Sequence, residues 1–132
     1  MTGIIPDKAF VVVADGVGAR FFRNRMQDRR LTLIAEGHLT PIDLDNDGPA
    51  GKRPPDSSKQ DNDEATFAKQ LANELYRRAH ASDFSALVLI ADPQTLGQIR
   101  PLLHKEVQSR IVSEVAKTLT KASIADIQKS LQ

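Results

Sequence analysis

Residues 10–23 read FVVVADGVGARFFR, and the folding of this stretch decides the rest. A run of β-formers stops at Asp15-Gly16 and resumes after Gly18 with Ala19, Arg20, Phe21 and Phe22, the pattern of two antiparallel strands joined by a tight turn. The first strand, AFVVVA over residues 9–14, has no polar position, which suits a central strand covered on both faces. The turn sets a carboxylate, Asp15, and a guanidinium, Arg20, on either side of Gly16 and Gly18. Such a turn can cradle a phosphate, or it can simply reverse the chain.

On the C-terminal side, residues 19–25 form the second strand and residues 31–39, LTLIAEGHL, the third, joined through the polar turn Met26 to Arg30 as an antiparallel meander. Residues 40–63 are rich in Pro, Gly, Asp, Asn and Ser, which predicts a mobile loop at about 42–63. From Glu64 the period becomes helical: Phe67, Ala68, Leu71, Ala72, Leu75 and Ala79 share one stripe. Asp61, Asn62 or Asp63 can cap the start of this helix, and Arg77, Arg78 and His80 suit its negative end.

SALVLIA, residues 85–91, is a second buried strand, ended by Asp92-Pro93. A helix from about Pro93 should turn Leu96, Ile99, Leu102 and Leu103 inward, with Gly97 allowing close backbone approach and Pro101 kinking or dividing it. Residues 110–117 make a last strand, and Ser123 with Asp126 caps a final helix carrying Ile124, Ile127 and Leu131. The order is β-β-β-α-β-α-β-α. A right-handed crossover sets the strands at 9–14 and 85–91 side by side and parallel. The expected fold is α/β: a single three-layer domain over residues 1–132 with a mixed five-stranded sheet, ribonuclease H-like.

With 132 residues, 40% hydrophobic and 27% charged, the chain has the size and composition of one globular domain. No apolar run approaches the ~20 residues of a membrane span, and no basic-then-apolar leader opens the sequence, so a cytoplasmic location and no membrane partner are expected. Without cysteine there is no disulfide framework, thiolate nucleophile or cysteine zinc site. The formal charge of +1 hides a polarity: Arg20, Arg23, Arg25, Arg29 and Arg30 face only Asp28, and the stretch from Asp43 to Glu64 is acidic. Those arginines, with Lys52 and Arg53 from the loop, are candidates for contact with RNA phosphates. The competing reading is a solvated hairpin tip that faces its own acidic loop. Strand alternation sets Phe21, Arg23 and Arg25 on one face and Arg20 and Phe22 on the other, with both phenylalanines packed under helices.

Other chemistry has weaker support. Asp15 and Asp92 would both stand at the carboxyl ends of adjacent parallel strands, where two carboxylates can hold Mg²⁺. Each also has an ordinary use, Asp15 in a turn and Asp92 as a helix cap before Pro93. Asp15, Gly16, Gly18 and Arg20 remain a candidate phosphate site, although Gly16-x-Gly18 enters a strand rather than the helix a dinucleotide fold requires. Asp43-x-Asp45-x-Asp47-Gly48 imitates a calcium loop, but its twelfth position is Pro54. There is no Gly-x-Ser-x-Gly elbow, and His38, His80 and His104 are too scattered for a ligand pair. No cofactor is implied.

Taken together, VVVADGVGARFFRN, the Gly/Pro-rich loop, FAKQLANEL, LVLIADP with LGQIRPLL, and VAKTLTKASIADIQKSL resemble the bacterial host attachment protein family. That family is similar to the middle domain of archaeal and eukaryotic peptide chain release factors. The resemblance implies the same fold and an association with the ribosome or structured RNA. In release factors a Gly-Gly-Gln loop precedes the long first helix and serves peptidyl-tRNA hydrolysis; the loop here, DNDGPAGKRPPDSSKQDNDEATFAKQL, has separated Gly48 and Gly51 and no Gly-Gly-Gln. A non-catalytic binding domain is therefore expected. A phosphate-substrate or Mg-dependent enzyme at the Asp15/Arg20 turn, and a protein-interaction module acting through loop 42–63, are the alternatives.

Overall fold

Phe10, Val11, Val12 and Val13 have no solvent exposure at all, as an unbroken apolar strand flanked by strands and covered by helices should. They belong to β1 (Phe10–Asp15) of the computed structural model, which describes residues 5–41 and 59–131. The remaining elements are β2 (Gly18–Asn24), β3 (Leu33–Leu39), α1 (Lys59–His80), β4 (Leu87–Ala91), α2 (Pro93–Ile99), α3 (Lys105–Gln108), β5 (Ile111–Ala116) and α4 (Ile124–Leu131). The five strands form one sheet in the order β3-β2-β1-β4-β5. β1 is antiparallel to β2 and parallel to β4, with Phe10 opposite Arg23 on one side and Leu87 on the other.

Alternation along β1 divides the core into two layers. Phe10, Val12 and Ala14 pack with Phe21 beneath Phe67, Leu71 and Leu75 of α1, Leu96 and Ile99 of α2, and Val107 of α3. Val11 and Val13 face the other way, with Phe22, Val88, Ile90 and Ile127 of α4. The chain is thus an α/β domain of three layers, with the mixed sheet and the parallel β1–β4 pair expected.

Three local expectations need correction or refinement. Helix α1 begins at Lys59, so residues 59–63 are helical instead of belonging to the loop, and Asp61, Asn62 and Asp63 lie inside the helix. An acidic stretch suits the positive end of a helix, which is why its polar composition did not mark a loop. Pro101 does divide the segment after β4: α2 stops at Ile99, and Arg100–Leu102 form a 3-10 turn before α3. Gly97, in contrast, faces open space, with nothing within 4 Å of the Cβ it lacks. Because no close approach requires it, Gly97→Ala should raise stability by about 0.5–1 kcal/mol, read as a higher urea midpoint at unchanged m.

Helix α1 ends in a Schellman motif. Ser82 takes φ 60°, the Ser82 amide donates to the Ala79 carbonyl at 2.9 Å, and the Asp83 amide donates to the Arg78 carbonyl at 2.9 Å. In the last turns Glu74 accepts from Arg77 Nη2 at 2.6 Å and from Arg78 Nε at 2.7 Å. Partial burial pushes the Glu74 carboxyl up, but the hydrogen bonds and charges of Arg77 and Arg78 together outweigh it and hold it below the ordinary value of 4.5. A depressed acid contributes stability above its unfolded pKa and loses that contribution as pH falls through the native one. Glu74→Gln should therefore be less stable than the parent near pH 7, with the difference shrinking only as pH falls below the ordinary 4.5 and through the lower native value, as measured by urea titration over a series of acidic pH values.

Candidate functional site

The sheet separates the candidate residues into two groups. At the carboxyl end of β1 lie Asp15, the two-residue turn Gly16-Val17, Gly18 and Arg20, beside Leu39 at the end of β3. At the opposite end the β2–β3 connection carries Arg25, Arg29 and Arg30, next to the amino ends of β1 and β4 and the carboxyl end of α1. A seven-residue strand puts roughly 20 Å between these ends.

At the first end the charged groups are engaged with the chain itself. Asp15 Oδ1 accepts from the Val17 amide at 2.8 Å, closing the turn, and Asp15 Oδ2 accepts from the Thr120 hydroxyl at 2.8 Å. Arg20 Nη1 donates to the carbonyls of Thr120 at 3.1 Å and Ala122 at 2.7 Å, with its guanidinium 4.9 Å above the Phe22 ring. The two flanks of the expected phosphate cradle thus tie the segment after β5 to the sheet, just ahead of α4. Gly18 is not crowded either: a Cβ there would meet only the Leu39 carbonyl, at an ordinary 3.7 Å.

Asp92 stands next to Asp15, since Ala14 pairs with Ala91. Its carboxylate caps α2, with Oδ2 accepting from the Thr95 amide at 3.1 Å and Oδ1 from the Thr95 hydroxyl at 2.7 Å. The two aspartates therefore share an edge, as the parallel pairing requires, and each has a structural partner. Among the described residues no group of three or more His, Asp or Glu side chains is arranged to hold a metal ion.

At the second end the arginines divide by exposure. Arg23 corrects the expectation of an RNA contact, because it is 7% exposed and lies on the same face as Phe21, under α1. Its Nε and Nη2 donate to Glu36, Nη1 donates to the carbonyls of Lys8 and Asp83, and Nη2 also pairs with Asp83 Oδ2 at 3.3 Å. Arg25, Arg29 and Arg30 are exposed, and their guanidiniums have no partner among the described residues. Three arginines against Asp28 leave a net charge of +2 over residues 25–30. Lys52 and Arg53 lie outside the described residues, as does the part of loop 42–63 before Lys59.

The tip that presents these arginines is tightly built. Gln27 and Arg30 exchange both backbone hydrogen bonds, at 3.0 and 2.8 Å, around Asp28 (φ 50°) and Arg29 (φ 64°), a turn of the primed type favoured in hairpins. Arg29 has no conformational reason to occupy a left-handed position that glycine fills at lower cost. Arg29→Gly should therefore raise folding stability by about 0.5–1 kcal/mol in thermal or urea denaturation.

The hairpin is anchored by Asn24, a residue the sequence reading did not single out. Fully buried, it donates through Nδ2 to the carbonyls of Ile5 at 3.3 Å and Pro6 at 3.0 Å, and accepts through Oδ1 from the Thr32 amide at 3.1 Å. Nothing in its neighbourhood of arginines marks it, but a lone amide at the end of a buried strand is the usual way to satisfy a chain crossing there. All three histidines are exposed, and His80 and His104 have local partners. His104 Nδ1 accepts from the Glu106 amide at 3.0 Å to cap α3, and its ring lies 4.3 Å from that of Tyr76.

A family model, bacterial archaeo-eukaryotic release factor family 12, matches residues 8–131. The chain belongs to that family. The release-factor relationship implied by the sequence resemblance is thereby shown, and the match takes in β1 through α4. A search of curated proteins found no match. No described helix is long and apolar enough to cross a membrane.

Proposed function

We propose that this release-factor family domain is a non-catalytic binding domain for structured RNA, on the ribosome or free of it, and that the β2–β3 hairpin is its contact. The observation that carries this reading is the tip itself: Arg25, Arg29 and Arg30 are exposed and unpaired among the described residues, on a turn held rigid by its own backbone. Guanidiniums presented in this way match the geometry of phosphate oxygens, and their sequence-independent attraction suits a backbone-reading domain.

Family membership supports a ribosome-related partner, and a cytoplasmic location follows from that partner. A hydrolytic role is not favoured, since the sequence contains no Gly-Gly pair before glutamine in the stretch ahead of α1 or anywhere else. The Asp15/Arg20 turn is not favoured as a phosphate-substrate site, since both charged groups hold the chain's own segment at Thr120–Ala122. Sedimentation of the protein with ribosomes, and direct titration with a structured RNA at low salt, test the reading. Binding that weakens steeply with added salt supports it, and no binding to either at low salt would remove it.

A further inference from the structure

Beside the arginine hairpin the same end of the sheet holds a cleft of about 500 Å³, lined by Lys8, Arg23, Arg25, Glu36, Ser82, Asp83, Phe84 and Ser85. Its charges sort into a neutral floor and a basic rim. On the floor Arg23 pairs with Glu36 and Asp83, and Asp83 takes a second guanidinium from Arg78, which lies outside the lining. Both carboxylates that line the cleft thus have an arginine partner.

On the rim Lys8 and Arg25 are exposed cations without a partner among the described residues, and the hydroxyls of Ser82 and Ser85 are exposed and likewise unengaged. Two cations and two hydroxyl donors converge above a floor whose carboxylates are already neutralised, a donor set suited to an oxyanion with several acceptor oxygens.

The backbone supports the same place. Among the described residues four that are not glycine take left-handed φ: Lys8 (70°), Asp28 (50°), Arg29 (64°) and Ser82 (60°). All four lie at this end of the sheet, two lining the cleft and two forming the adjoining tip. Conformational strain gathered in one region marks positions that packing alone would fill differently. Ser82 has the Schellman ending of α1 as a sufficient reason. Lys8 is fixed by its amide, which donates to the Asn24 carbonyl at 2.7 Å, so the strand that presents Arg25 also sets the position of Lys8.

We infer that this cleft is a phosphate-binding site, with Lys8 and Arg25 supplying charge and Ser82 and Ser85 supplying hydroxyl donors. The inference rests on the RNA-binding reading only for the source of the phosphate. If that reading holds, the cleft takes a phosphodiester of the strand that Arg29 and Arg30 grip, and Arg25, which belongs to both, is the link. A small phosphorylated molecule is the other source of the same chemistry.

The experiment is an amide-resolved NMR titration of the full chain with inorganic phosphate, with sulfate as the comparison anion, followed by RNA titration of the parent, Lys8→Ala and Ser85→Ala. Both substituted side chains are exposed, so the variants should fold as the parent does. Phosphate should shift the Lys8, Ser82 and Ser85 amides at millimolar concentration and leave those of the Asp15 turn unmoved. Lys8→Ala should remove that response and lower RNA affinity about 5- to 10-fold at low salt, with one contact fewer in the salt dependence.

A phosphate response lost in Lys8→Ala, without any RNA binding by the parent, would sustain the cleft with a small ligand and discard the hairpin reading. RNA binding that depends on Arg29 and Arg30 but ignores Lys8, with no phosphate shift in the cleft, would discard the cleft and keep the hairpin. Equal shifts over the whole surface with either anion would mean non-specific charge screening and would also overturn the inference.

Discussion

Replacing Arg23 with alanine should lower folding stability by about 2–4 kcal/mol, a large part of the 5–15 kcal/mol that domains usually have. The guanidinium is 7% exposed and serves two carbonyls, Lys8 and Asp83, and two carboxylates, Glu36 and Asp83. It also lies 4.9 Å over the Phe10 ring, where it closes the edge of the core beside α1. Alanine would leave both carbonyls short of a donor and Glu36 without its counter-charge, while Asp83 would keep Arg78 at 3.2 Å. Breaking a fully buried pair costs about 3–5 kcal/mol; the Glu36 and Asp83 side chains keep 27% and 39% exposure and can recover water, which sets the lower range.

Arg23→Lys should recover less than half of the loss, because one ammonium cannot reach four acceptors held by a planar fork. Urea denaturation followed by circular dichroism measures both variants. A loss below about 1 kcal/mol for alanine would mean that the guanidinium is not the clamp between β2, β3 and the end of α1.

The second large effect is on binding. Changing Arg25, Arg29 and Arg30 together to alanine should weaken RNA or ribosome binding on the order of 10²-fold near 0.1 M salt while leaving the fold intact. Each phosphate contact adds about 0.7–0.9 to the slope of log K against log salt, so three lost contacts should flatten the slope by about 2–3. None of the three guanidiniums has a partner among the described residues, so their replacement by alanine should be close to neutral for stability. This opposition to Arg23→Ala separates a folding arginine from a binding arginine two residues away.

That separation also shows how far the sequence could be read. The five strands and the parallel β1–β4 pair were legible because AFVVVA (9–14) and ALVLIA (86–91) have no polar position and because crossover handedness leaves one placement for them. Alternation already set Arg23 on the face of Phe21, two positions from a buried ring, which points to burial of Arg23 as well. The surrounding arginines mask this, because in sequence they form one continuous basic patch. Arg25 escapes the same fate only because β2 ends at Asn24, a boundary set by the burial of the Asn24 amide and by the Ile5–Pro6 segment it binds. That is a tertiary contact, with no local signature.

The Asp15 turn illustrates the reverse. Its carboxylate and Arg20 were legible as a pair around glycines, but their partners, Thr120 and Ala122, lie about a hundred positions away in sequence, and only the folded sheet brings them together. The cleft was invisible for the same reason. Lys8, Arg25, Ser82 and Ser85 come from three separate connections, at the start of β1, the end of β2 and the end of α1, and share no spacing that a sequence pattern could reveal.

The central claim is that the β2–β3 hairpin binds RNA through charge, and the salt dependence of that binding tests it most directly. RNA affinity measured across a range of monovalent salt, for the parent and for the Arg25, Arg29 and Arg30 triple variant, should give a steep slope for the parent and one flatter by about 2–3 for the variant. Parallel lines of equal slope, or a parent that binds neither ribosomes nor structured RNA at low salt, would contradict it.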